Sequence, residues 1–102
     1  MDDWYLYLVR TRLGTLYTGI STDVPRRLSE HEGHEKGAKY LRSKGPLELA
    51  YAVRIGDRAL ALRAEHVLKQ LPKADKEKIV RRRPAPANLL ELLGVASSNR
   101  TA

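Results

Sequence analysis

WYLYLVRTRLGTLYTGISTDVPRRLSEH, residues 4–31, sets two runs rich in aromatic and β-branched residues on either side of one glycine. Trp4 to Val9 reads as a β-strand, and Arg10 to Thr15, with Gly14, as a turn. Leu16 to Ile20 reads as the returning strand of a hairpin. Thr22 or Asp23 then caps a helix that runs to about His31, and Pro25 is tolerated in its first turn, where backbone N–H groups lack partners anyway. Around this hairpin Tyr7 and Tyr17 come near each other across the strands. Gly19 leaves the end of the second strand without a side chain, so a ligand backbone can approach there. Arg27 and His31, four residues apart, share one face of the helix.

Further along the chain, Gly33 to Gly45 is polar and glycine-punctuated, which predicts a loop, and Lys39 and Arg42 within it suit contacts to phosphates. Leu47 to Ile55 reads as a third strand, and Gly56-Asp57 ends it and caps a helix from Arg58 to about Leu71. In that helix Leu60, Ala64, Val67, Leu68 and Leu71 form an apolar stripe, with Glu65 on its flank. Lys73 to Arg82 reads as a short basic helix after Pro72. Pro84-Ala85-Pro86 breaks it, Asn88 caps a last helix through Leu93, and Gly94 ends that helix. The order ββα, βα, α, α indicates an α+β domain. We take residues 1–82 as the main domain and 83–102 as a C-terminal linker, short helix and flexible tail.

The 102 residues suffice for one domain with an ordinary core. Nineteen Lys and Arg against twelve Asp and Glu give a net charge of +7. The excess is uneven: nine basic and three acidic residues lie between Arg58 and Pro84. Such a surface suits a polyanion, most simply nucleic acid. The chain has no cysteine, which excludes disulfides, thiol nucleophiles and cysteine-bound zinc, and fits a reducing, cytoplasmic setting. Met-Asp-Asp before a short apolar run lacks the basic start of a signal peptide, and no stretch is long enough to span a bilayer.

Tyr5-Leu6-Tyr7 and Tyr17-Thr18-Gly19 resemble the two halves of the GIY-YIG signature. Arg27 stands where that superfamily carries its arginine, and Ala61-Leu62-Arg63-Ala64-Glu65 with Lys69 resembles its glutamate-bearing helix. The likeness covers about residues 4–82 and is greatest to small stand-alone bacterial members, which are similar to the N-terminal nuclease domain of the UvrC repair enzyme. It implies a three-stranded antiparallel sheet flanked by helices, and a metal-dependent endonuclease that cuts DNA, in repair or recombination. RNA remains a second substrate class, and a DNA-processing protein a conceivable partner of a monomer. Carried over by position, Glu65 holds Mg2+ or Mn2+, Tyr7 serves as base and Tyr17 as its hydrogen-bonding partner. Arg27 steadies the phosphate, while His31 relays a proton or binds phosphate. Gly19, Lys39, Arg42 and Lys69 then contact nucleic acid. The family's asparagine after the glutamate helix has no counterpart here before Asn88. That absence favours the alternative, a nucleic-acid-binding module of the same fold with weak or no catalysis.

The chemistry suits this set of residues. Phosphodiester hydrolysis builds negative charge at phosphorus, which a cation and a rigid guanidinium fork stabilise. One carboxylate with waters is a typical magnesium environment. Tyrosine is the weak point, because at pH 7 only about one phenol in a thousand is ionised, a deficit of roughly 4 kcal/mol. Each residue also has a plain reading. Facing tyrosines pack, an arginine on a helix is solvated, and Glu65 pairs with Lys69 at i, i+4.

Overall fold

Leu6, Tyr7, Leu8 and Val9 are each at most 2% exposed, so β1 (Trp4–Arg10) is covered on both faces. An uninterrupted apolar run is what such a strand requires. The computed structural model describes residues 3–33 and 47–95. In it β1 is the centre of a three-stranded antiparallel sheet of order β2-β1-β3, with β2 at Leu16–Ser21 and β3 at Glu48–Gly56. The hairpin turn closes through the Thr11 amide on the Thr15 carbonyl at 2.9 Å, and Gly14 takes a φ of 87° that disfavours other residues.

The alternation along β1 separates two apolar layers. Leu6 and Leu8 face a core shared with Tyr51, Val53 and Ile55 of β3. Tyr7 and Val9 face the opposite way, onto Val24 and Leu28 of α1 (Val24–Gly33) and onto Leu47. Asp23 caps α1 by accepting from the Arg26 amide at 3.2 Å. The first layer is closed by α2 (Arg58–Lys69), α3 (Lys73–Arg82) and α4 (Pro86–Leu93). Asp57 caps α2 through the Leu60 amide at 2.8 Å.

The buried stripe of α2 is Ala61, Ala64 and Leu68, while Leu60, Val67 and Leu71 pack at its margins. Small alanines at the contact let the helix approach the sheet closely. The helix stops at Lys69, two residues before the expected end at Leu71, because Pro72 disfavours helical geometry in the residue before it. Asn88 is not the cap of the last helix. Ala85 occupies that place and Pro86 opens the first turn, where its fixed φ fits. Residues 83–93 pack onto the main unit: Leu89 and Leu93 belong to its core, and the Tyr51 hydroxyl donates to the Pro84 carbonyl. A bidentate ion pair, Arg10 to Glu77 at 2.8 Å in both arms, ties α3 to β1. The expected loop from Gly33 to Gly45, with Lys39 and Arg42, lies outside the described residues beyond Gly33, as does the tail beyond Val95.

Candidate active site

The strand register decides where the Tyr7 ring goes. Tyr7 is paired with Gly19 on β2, and Val9 with Tyr17, so the two tyrosines are diagonal neighbours on one face. A Cβ on Gly19 would lie 2.5 Å from both Cζ and Oη of Tyr7, so the phenol lies directly over the glycine. This corrects the reason expected for Gly19. The space freed by its missing side chain is filled by Tyr7 rather than left open to a ligand.

Lying over β2, an edge strand of the sheet, the Tyr7 hydroxyl reaches α1. Tyr7 Oη and His31 Nε2 are 2.9 Å apart in a buried contact. The hydrogen-bonded partner expected to be Tyr17 is therefore His31. Tyr17 instead sets its ring edge-on to that imidazole, at 5.7 Å between centroids and 74° between planes. His31 is fully buried, and its Nε2 is engaged by the Tyr7 hydroxyl.

Arg27 lies one helical turn before His31. Its guanidinium donates to Glu30 Oε1 at 2.9 Å and also reaches the Tyr7 phenol, with about a third of the side chain exposed. The i, i+3 spacing of Glu30 from Arg27 is the sequence signal for this contact. Glu65 approaches from α2, which belongs to the other layer. It lies close enough to Tyr7 for its charge to act on the phenol, and it pairs with Lys69 at 3.5 Å. The two apolar layers thus meet around β2, with Tyr7, Tyr17, Arg27, His31 and Glu65 converging from two strands and two helices. Lys69 stands beside them, half exposed.

Electrostatics in this cluster run against an ionised phenol. Burial, followed by the neighbouring Tyr17, pushes the Tyr7 pKa up to about 12; Arg27 opposes the rise and Glu65 adds to it. Burial first, and then the Arg27 charge, lowers the His31 pKa below its ordinary 6.5, so the imidazole is neutral at pH 7. A neutral ring can accept a proton; an imidazolium could not.

Residues 3–78 match the model of the GIY-YIG catalytic domain. The chain belongs to the GIY-YIG family. Among its relatives, the UPF0213 protein YhbQ of Salmonella typhimurium is 55% identical over 93 residues, covering 91% of this chain and 92% of the relative. The protein of the same name from Escherichia coli O8 is 54% identical over the same spans. The solution structure of the UPF0213 protein BH0048 from Bacillus halodurans matches with a TM-score of 0.52 and 33% identity, covering 92% of this chain and 99% of that one. Membership places this GIY-YIG domain among nucleases acting on nucleic acid. No helix among the described residues is long and apolar enough to cross a membrane.

Glu65, with 17% of its side chain exposed, could offer a divalent ion one carboxylate. No group of three His, Cys, Asp or Glu residues that could hold a metal occurs among the described residues. A single hard oxygen donor fits a cation that keeps most of its water, as Mg2+ does, and is a poor match for the three or four nitrogen and sulfur ligands zinc prefers.

Proposed function

We propose that this GIY-YIG domain is an endonuclease that hydrolyses DNA phosphodiester bonds with Mg2+ or Mn2+ held by Glu65, in repair or recombination, and acts as a monomer. The observation that carries the reading is the convergence of Tyr7, Arg27, His31 and Glu65 from separate elements around one strand edge. A domain that merely bound nucleic acid through its basic surface would have no use for a buried phenol–imidazole pair beside a carboxylate. When bound, the ion would neutralise charge on the phosphate and acidify the attacking water.

The chain's own groups account for the rest. With a Tyr7 pKa of about 12, forming phenolate at pH 7 costs roughly 7 kcal/mol. Tyr7 is therefore better suited as a neutral relay than as a standing base. Its oxygen takes a proton from the attacking water while its own proton passes to His31 Nε2. The new P–O bond forms as the bond to the leaving oxygen breaks, and that oxygen takes a proton from solvent. His31 later returns its proton to bulk water through Tyr7. Arg27, aligned by Glu30, turns its guanidinium charge toward the phosphate oxygens, where charge grows in the transition state. Lys69 keeps Glu65 turned toward the site and adds a cation for the backbone.

The test compares cleavage of single-stranded, duplex and branched DNA in Mg2+ and in EDTA, for wild type and Arg27→Ala. The account predicts metal-dependent cutting that Arg27→Ala lowers at least a hundredfold, with only a severalfold loss of DNA affinity. Equal losses of rate and affinity would make Arg27 an ordinary phosphate anchor. The second reading, a binding module, rests on the missing asparagine: Asn88 is exposed on α4, in the first turn of a helix that closes the opposite layer. Tight, salt-sensitive DNA binding without metal-dependent cutting would favour it.

A further inference from the structure

Two lysines of α3, Lys73 and Lys76, lie three residues apart on one side of the helix and line an open cavity of about 180 Å3 with Thr15 and Leu16. The cavity sits where β2 begins. Lys73 Nζ reaches to 3.9 Å from where a side chain on Gly14 would start, so the lysine lies against the hairpin turn. Lys73 acts through its charge on Glu77, whose carboxylate is already held by both arms of Arg10 and kept ionised chiefly by that pairing. Neither Lys73 nor Lys76 forms an ion pair among the described residues. Two ammonium groups thus share one recess without a direct carboxylate contact among the described residues.

That recess and the candidate active site are joined by two elements. Thr15, just before β2, precedes Gly19 by four residues, roughly 13 Å of extended chain. Along the helical layer, Glu65 leads to Lys69 and then, past Pro72, to Lys73. One face of the domain thus carries a carboxylate, then Lys69, then the two lysines, beside the same strand. Measured along the axis of a duplex, 13 Å corresponds to about four nucleotides of one strand.

We propose that Lys73 and Lys76 hold the backbone phosphates of the DNA strand flanking the cleaved bond, about four nucleotides from it on one side. The proposal rests on the nuclease reading for the position of the cleaved bond, and adds to it a defined track for the substrate. Lys78 and Arg82, on the other side of α3, serve a different surface. They line a recess with Leu71, Asp75, Ile79, Pro84 and Leu92, facing α4.

The experiment measures binding of end-labelled DNA in EDTA, where nothing is cut, for wild type, K73A/K76A and the charge-matched K78A/R82A. The expected result is an approximately tenfold weaker complex for K73A/K76A and a log K against log salt slope shallower by about 2, with less than a twofold change for K78A/R82A. Equal losses for the two pairs, or an unchanged slope for K73A/K76A, would overturn the proposal, as would a wild type that does not bind DNA. A second arm locates the track. On substrates cut in Mg2+ that end fewer than four nucleotides from the cleaved bond on one side, the K73A/K76A defect should vanish, and its persistence there would also overturn the proposal. If wild type binds with the predicted lysine dependence yet cuts nothing, the nuclease reading fails and the position of the track relative to a cleaved bond fails with it, while the phosphate contacts stand. If it cuts but the two double variants bind alike, only the track fails.

Discussion

Replacing Gly19 with alanine is expected to destabilise the domain through a single ring. The new Cβ would stand 2.5 Å from Cζ and Oη of Tyr7 and 3.1 Å from Cε1. Relief requires about 1 Å of movement, since carbon atoms settle near 3.5 Å or beyond. Tyr7 is 2% exposed and bonded to His31, so the ring has no empty space to enter. Overpacking of this kind costs about 1–3 kcal/mol. A shift of that size also takes the 2.9 Å contact to His31 out of hydrogen-bonding range, about 1 kcal/mol more. Alanine restricts the unfolded chain and returns roughly 0.5 kcal/mol. The net expectation is a loss of about 2–3 kcal/mol. Urea titration of Gly19→Ala, Tyr7→Leu and the double variant isolates the cause, because leucine lacks the atoms that clash. In the Tyr7→Leu background, Gly19→Ala should cost nothing or stabilise slightly, leaving a coupling energy of about 2–3 kcal/mol. The same cost in both backgrounds would refute the claim that Gly19 exists to seat the phenol.

Two further predictions concern pH. Tyr7 and Tyr51 are both raised by burial to about 12 from 10.0, so each releases its proton earlier in the unfolded chain than in the folded one. Stability is then full below pH 10 and falls between pH 10 and 12, by up to about 3 kcal/mol for each residue. Urea midpoints at pH 9 and 11.5 should show this fall, and Tyr51→Phe should remove about half of it; an undiminished fall in that variant would contradict the assignment. His31 is lowered from 6.5, so its contribution is present above pH 6.5 and is lost as pH drops below that value. Wild type should lose stability between pH 6.5 and 5 more steeply than His31→Gln, and identical slopes would exclude His31 as the group responsible.

The fold was legible where local chemistry and tertiary environment agree. The aromatic and β-branched run of β1, the glycine turn, and the capping positions of Asp23 and Asp57 each specify one local structure, and the protein keeps them. Asn88 misled because a good capping side chain competed with a proline pair upstream, and the fixed φ of Pro86 set the start of α4. Leu71 misled because the apolar period ran on through a position that Pro72 removes from the helix. The candidate site was legible as a set of residues but not as a network. Spacing put Tyr7 near Tyr17, yet one register step seats the phenol over Gly19 and delivers its hydroxyl to His31. That contact spans 24 residues, and no local pattern encodes it. Nor does the chain order reveal that Glu65 reaches Tyr7 from the opposite layer, which depends on how α2 packs around the edge of β2.

The most direct test of the account is single-turnover cleavage of a DNA substrate by wild type and Glu65→Gln across a magnesium titration, with DNA affinity measured in parallel. The amide keeps the size of the side chain and removes the charge that would hold the ion. The account predicts a cleavage rate at least a hundredfold lower for Glu65→Gln, with affinity held within severalfold. Equal rates for the two proteins at every magnesium concentration would contradict it.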